Sequence, residues 1–86
     1  MLIETLDNKR TYLKATLMKC LKEASSEQSP IPWTYKSILR REKAGIRVYN
    51  KVRRDPGTTY RMYTGKLIRE IVDYEIHRAI GKQKIV

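Results

Sequence analysis

Between Lys36 and Lys66 the chain carries ten cationic side chains, Lys36, Arg40, Arg41, Lys43, Arg47, Lys51, Arg53, Arg54, Arg61 and Lys66, against two carboxylates, Glu42 and Asp55. Six of the ten are Arg, whose planar fork matches phosphate oxygens and base edges in pairs, a match that a merely solubilising surface does not need. Tyr49 and Tyr60 interleave with these cations, and an aromatic ring beside a cation can stack on an unpaired base. The chemistry of this segment is anion recognition, and the combination of charge and rings fits a nucleic acid. Phosphate contacts release condensed counterions and supply affinity before any base is read. The charge is also localised. Residues 1–35 hold five basic and four acidic side chains and residues 67–86 hold four and three, so +8 of the formal net +10 falls in the middle 31 residues.

Catalytic chemistry finds little support. Cys20 falls on the apolar stripe of an amphipathic segment, where cysteine behaves as an inert small hydrophobe. His77, the one histidine, falls on a polar face and has no nucleophile to activate. Glu70 and Asp73 share a helical face, but two acids on an amphipathic helix form a solvated surface rather than an acid/base pair. The four glycines stand singly, so no phosphate-cradling loop is present. One Cys and one His cannot furnish the roughly four ligands of a structural zinc. The expectation is a protein that is not an enzyme and holds no metal or cofactor.

The basic segment has to be held by elements with apolar faces, and these are visible as periodicity. Leu13, Leu17, Cys20, Leu21 and Ala24 predict a helix over 7–24, with Asp7 or Thr5 as N-cap. Two prolines in the polar run from Ser25 to Pro32 end it. A second helix is expected over 33–43, with Tyr35, Ile38 and Leu39 on one face and Lys36, Arg40 and Lys43 on an adjoining, more exposed side. Gly45 is placed to close it. From Ile46 to Arg53 the residues alternate, with Ile46, Val48 and Val52 on one face and Arg47, Tyr49, Lys51 and Arg53 on the other. The run Arg54-Asp55-Pro56-Gly57 fits a turn, and Thr58–Thr64 is rich in strand formers. A basic β-hairpin over 46–64 is therefore predicted, with Tyr49 facing Met62 and Val48 facing Tyr63. Ile68, Ile71, Val72, Ile76 and Ala79 predict a last helix over 65–80, closed by Gly81 and followed by a frayed tail at 82–86. Arg69 and Asp73 are spaced to pair on it.

The expected class is α+β, a single small domain of helix, helix, β-hairpin and helix. The competing arrangement is all-α, a four-helix helix-turn-helix domain in which Ile46–Arg54 forms a third helix and a long fourth begins near Thr59. That arrangement runs helix through Gly65 and uses β-branched and aromatic residues where helices disfavour them.

The order of elements resembles a reduced winged-helix domain over residues 7–80, in which a helix enters the major groove and a hairpin wing touches the adjacent backbone. The run Leu39-Arg40-Arg41-Glu42-Lys43-Ala44-Gly45-Ile46 is similar to the glycine-containing turn of a helix-turn-helix. The resemblance implies DNA. Arg40 and Arg41 on the second helix, beside the hairpin, favour DNA over RNA as the partner, and a homodimer is compatible with that reading. The alternative is a small adaptor or assembly subunit whose basic surface docks an acidic protein or an anionic membrane. No stretch approaches the roughly 20 apolar residues of a membrane span, and the N-terminus has neither a basic n-region nor an apolar h-region. One Cys fits a reducing compartment. A soluble, intracellular protein without a transmembrane segment is expected.

Overall fold

The computed structural model describes residues 1–27, 30–49, 53–54 and 61–83, with the backbone alone at 53, 54, 61, 82 and 83. The chain runs α1 (Leu2–Thr5), β1 (Thr11–Tyr12), α2 (Lys14–Ala24), α3 (Tyr35–Lys43), β2 (Arg53–Arg54), β3 (Arg61–Thr64) and α4 (Gly65–Gln83). The class is α+β. The strands form an antiparallel sheet in the order β1-β3-β2. Thr11 stands opposite Thr64, Tyr12 opposite Tyr63, Arg53 opposite Met62 and Arg54 opposite Arg61.

The helix expected over 7–24 is helical only from Lys14. Asp7 opens a turn instead, its side-chain Oδ1 accepting the Lys9 N–H at 2.9 Å and its carbonyl accepting the Arg10 N–H at 3.2 Å. Residues 11 and 12 then pair with β3. Thr11 and Tyr12 are poor helix formers and good strand formers, so the ladder to β3 wins over continuation of the helix. The N-cap is Leu13, which makes no side-chain capping bond, in place of Asp7 or Thr5. The segment ahead of this turn forms α1, so three helices precede the hairpin where two were expected.

The second helix appears close to its expected span. Thr34 is its N-cap, and the Thr34 Oγ1 accepts the Ser37 N–H at 3.2 Å, the preferred capping arrangement. At the other end the Gly45 N–H donates to the Glu42 carbonyl at 3.2 Å and the Ile46 N–H to the Arg41 carbonyl at 3.4 Å. These are the two bonds of a Schellman closure. Gly45 has φ +73°, the left-handed region that a Cβ disfavours by about 1–2 kcal/mol.

The hairpin differs from expectation in register and extent. Residues 46–49 are not strand. They continue from the closure as a turn, with the Tyr49 N–H donating to the Ile46 carbonyl at 3.0 Å. Met62 pairs with Arg53 rather than with Tyr49, a displacement of four residues along the first strand. The shift leaves residues 55–60 between the paired positions, where a four-residue turn was expected, and these lie outside the described residues, as do Val52 and Thr59 of the expected pairing.

The last helix begins as predicted but continues through Gly81 to Gln83. It follows β3 without a connector. Thr64, the last strand residue, caps it by accepting the Leu67 N–H on its Oγ1 at 3.1 Å. Leu17, Cys20 and Leu21 of α2 pack with Ile38 of α3, Tyr63 of β3 and Leu67, Ile68, Ile71 and Val72 of α4. Burying each of the larger aliphatic side chains contributes roughly 1.5–3 kcal/mol. Leu13 and Tyr35, both expected on apolar faces, are exposed. Arg69 does not pair with Asp73. It reaches across to α1 and the turn after it, donating to the Ile3 carbonyl at 2.9 Å, the Leu6 carbonyl at 2.7 Å and the Asn8 side-chain oxygen. Among the described residues no helix is long and apolar enough to cross a membrane.

Gly65 sits where the N-terminal loop crosses the start of α4, and a Cβ there would overlap the Asp7 backbone carbonyl. Gly45 has open space around it and only its φ to defend. Urea unfolding should therefore rank the two: Gly45→Ala is expected to cost about 1 kcal/mol, and Gly65→Ala roughly 2–3 kcal/mol because backbone must move.

Candidate nucleic-acid interface

Two adjacent residues of α3, Arg41 and Glu42, point inward, and each is held by a different part of the fold. The Arg41 guanidinium meets the Glu75 carboxylate on α4 through two nitrogens, Nε to Oε1 at 2.9 Å and Nη2 to Oε2 at 3.4 Å. The Tyr49 hydroxyl donates to the same carboxylate at 2.9 Å. Glu42 accepts from the Tyr63 hydroxyl on β3 at 2.5 Å and lies 3.5 Å from the Lys14 ammonium at the start of α2. Successive helical residues are about 100° apart around the axis, so the two anchors grip α3 from two directions and fix its rotation.

Glu75 is only 1% exposed. A carboxylate that deep loses several kcal/mol of hydration, and a two-pronged guanidinium with a phenol donor is the kind of partner set that offsets the loss. The same surroundings act on Tyr49. Burial, and then the neighbouring Glu75 charge, push its phenol well above the ordinary tyrosine range, with Arg41 opposing in part.

This rotation decides which cations face outward. Lys36, Arg40 and Lys43 are exposed and recur at i, i+4 and i+7, one stripe about 10 Å long. Arg47 is exposed in the turn that follows. From Tyr35 to Tyr49 the only carboxylate is Glu42, and it is buried. A small depression of about 150 Å³ beside the stripe is lined by Pro32, Ser37, Arg40 and Arg41, polar in a way that suits a phosphate oxygen. Lys66 is exposed on the first turn of α4.

No family model, curated protein or solved structure matches this chain.

The geometry revises several sequence expectations. Tyr49 is not on a polar hairpin face: it is 1% exposed, because its hydroxyl is the donor that the buried Glu75 requires. Arg41 is likewise turned inward by that carboxylate. Arg53, Arg54 and Arg61 lie on the β2–β3 ladder, and Lys51 and Tyr60 lie outside the described residues. Lys36, Arg40 and Lys43 are the cations that the described structure brings together along one side, and Arg47 is exposed in the turn that follows, in a depression it shares with Tyr74 of α4. Glu75 and Lys14 were not singled out from sequence, and Tyr63, expected only to face Val48, instead stands opposite Tyr12 and holds Glu42, yet all three position the site. One signal was available: Glu75 follows Ile68, Ile71 and Val72 at helical spacing, a carboxylate set into an apolar stripe.

Cys20 is buried, and burial, followed by the Glu23 charge, raises its thiol above the usual range, which suppresses the thiolate. His77 is exposed, with Nδ1 2.8 Å from the Asp73 carbonyl and 3.5 Å from its carboxylate.

Chemical denaturation should show Glu75→Ala losing about 3–5 kcal/mol, since it strands Arg41 and the Tyr49 hydroxyl. Tyr49→Phe should lose about 1–2 kcal/mol, the cost of one donor to a buried charge. The raised phenol also fixes a pH dependence. The unfolded tyrosine ionises near pH ~10 and the folded one only above it, so this contribution is intact below about pH 10 and lost as pH rises further. Stability measured against pH should fall above about pH 10, and less steeply in Tyr49→Phe than in the wild-type protein.

Proposed function

We propose that this protein binds nucleic acid, with duplex DNA the favoured ligand, through the outward stripe of α3. The observation that carries the reading is the sorting of charge on that helix. Arg41 and Glu42 are consumed by internal partners, while Lys36, Arg40 and Lys43, and Arg47 in the turn that follows, are exposed, with no exposed carboxylate between them in sequence. A stripe about 10 Å long on a helix is of a size to enter a major groove about 12 Å wide and reach phosphates on its walls.

The arrangement around α3 supports a winged-helix manner of binding. Helices α1, α2 and α3 come before a two-stranded hairpin, and β3 pairs with both β1 and β2. In such a domain α3 would be the groove helix and the hairpin the wing. The sequence over 51–61, with Lys51, Arg53, Arg54 and Arg61 against Asp55, suits contact with the flanking backbone. Most of the affinity would then come from phosphates, and the chain would act as a binding module without catalysis.

The decisive comparison sets outward against inward cations. A Lys36→Ala, Arg40→Ala, Lys43→Ala triple variant should keep its circular-dichroism spectrum and melting temperature while its affinity for a DNA duplex falls roughly 100-fold at low salt. Arg41→Ala should instead lower the melting temperature. Full duplex affinity in a folded triple variant would overturn the reading.

A further inference from the structure

Trp33 and Tyr35 stand at the entry to α3, 39% and 54% exposed, beside the basic stripe but not part of it. Each ring has a lysine over it: the Lys22 ammonium is 5.0 Å from the Trp33 centroid and the Lys14 ammonium 4.6 Å from that of Tyr35. Between these rings and α2 runs an open groove of about 440 Å³, lined by Ala15, Met18, Lys19 and Lys22 as well as the two aromatics. Its charged lining is entirely cationic. The combination is an apolar slot, two accessible π faces and ammonium groups on the rim.

We propose that this groove stacks an unpaired nucleobase, so that the chain prefers a duplex carrying a single-stranded end over a blunt one. The inference rests on the nucleic-acid reading of α3 and extends it to the structure of the ligand. A single strand complements this lining, with a flat base for the two rings and a phosphate charge for the ammonium groups. An ammonium over an exposed ring is held weakly, and a base stacked on the ring is held more strongly. Displaced by the base, Lys22 can pair with a phosphate of the same strand, while Lys14 stays on Glu42. Lys36, next to Tyr35 in sequence and first on the outward stripe, lets the strand pass from the groove to the duplex contacts on α3.

Trp33 is the only tryptophan, so its fluorescence reports on the groove directly. The test compares a blunt DNA duplex, the same duplex with a short oligothymidine overhang at one end or the other, and a polyglutamate peptide. One overhang should bind about tenfold more tightly than the blunt duplex and should quench Trp33 emission, which the blunt duplex leaves unchanged. Tyr35→Ala and Trp33→Ala should lose that tenfold gain and retain blunt-duplex affinity, which also shows that both variants are folded. Equal binding of blunt and overhanging duplexes with unchanged emission would overturn the stacking proposal and leave the reading of α3 standing. Failure of every oligonucleotide to bind would remove both. Quenching by polyglutamate but by no oligonucleotide would assign the groove to an acidic protein and overturn the proposal.

Discussion

Two carboxylates buried against α3 set the arrangement of everything around it. Glu75 comes from α4 and takes Arg41 together with the Tyr49 hydroxyl, while Glu42 belongs to α3 and takes the Tyr63 hydroxyl and Lys14. Buried ion pairs are a poor source of net stability, because desolvation consumes most of the Coulombic gain and apolar replacements often do as well. What they supply here is orientation. An apolar face would let α3 slide or rotate by a fraction of a turn at small cost, whereas a two-pronged guanidinium contact and a short phenol–carboxylate bond define one setting. In that setting the inward charges of α3 are compensated by partners, and the outward ones have no carboxylate partner among the described residues.

The hairpin is referenced to the same frame. β3 is the middle strand, and its final residue caps α4, so strand and helix are joined rigidly rather than through a loop. Tyr63 on β3 is the partner of Glu42 on α3. Tyr49, just ahead of the hairpin, is fastened to Glu75 on α4. The basic helix and the basic hairpin are thus both tied to α4, and Arg69 fastens the N-terminal segment to it through three further hydrogen bonds. The neutral flanks of the sequence act as a scaffold whose polar interior aims a charged exterior.

Much of this was legible in the sequence, and the exceptions share a cause. The span of α3, the start of α4, the closing glycine at position 45 and the burial of Cys20 follow from local periodicity and backbone preference, which are properties of neighbouring residues. The departures came where a distant partner outweighed local pattern. The N-terminal half of the expected first helix became a turn and a strand because β3, some fifty residues on, offers a ladder. Tyr49 alternates with cations in sequence as if it shared their face, yet a single buried oxygen acceptor on α4 turns it inward and moves the hairpin register by four residues. The localisation of charge was plain from counting residues. Which of those charges are spent internally was not, since Arg40 and Arg41 look alike until Glu75 is placed.

The most direct measurement is an amide chemical-shift map of the labelled protein titrated with a DNA duplex at low and then at raised salt. If the anchored face of α3 aims a binding surface outward, the largest changes fall between Tyr35 and Arg47, reverse as salt is added, and leave the amides of Ile71, Val72 and Glu75 in place. Changes centred on α4, or a spectrum unmoved by duplex at low salt, would contradict it.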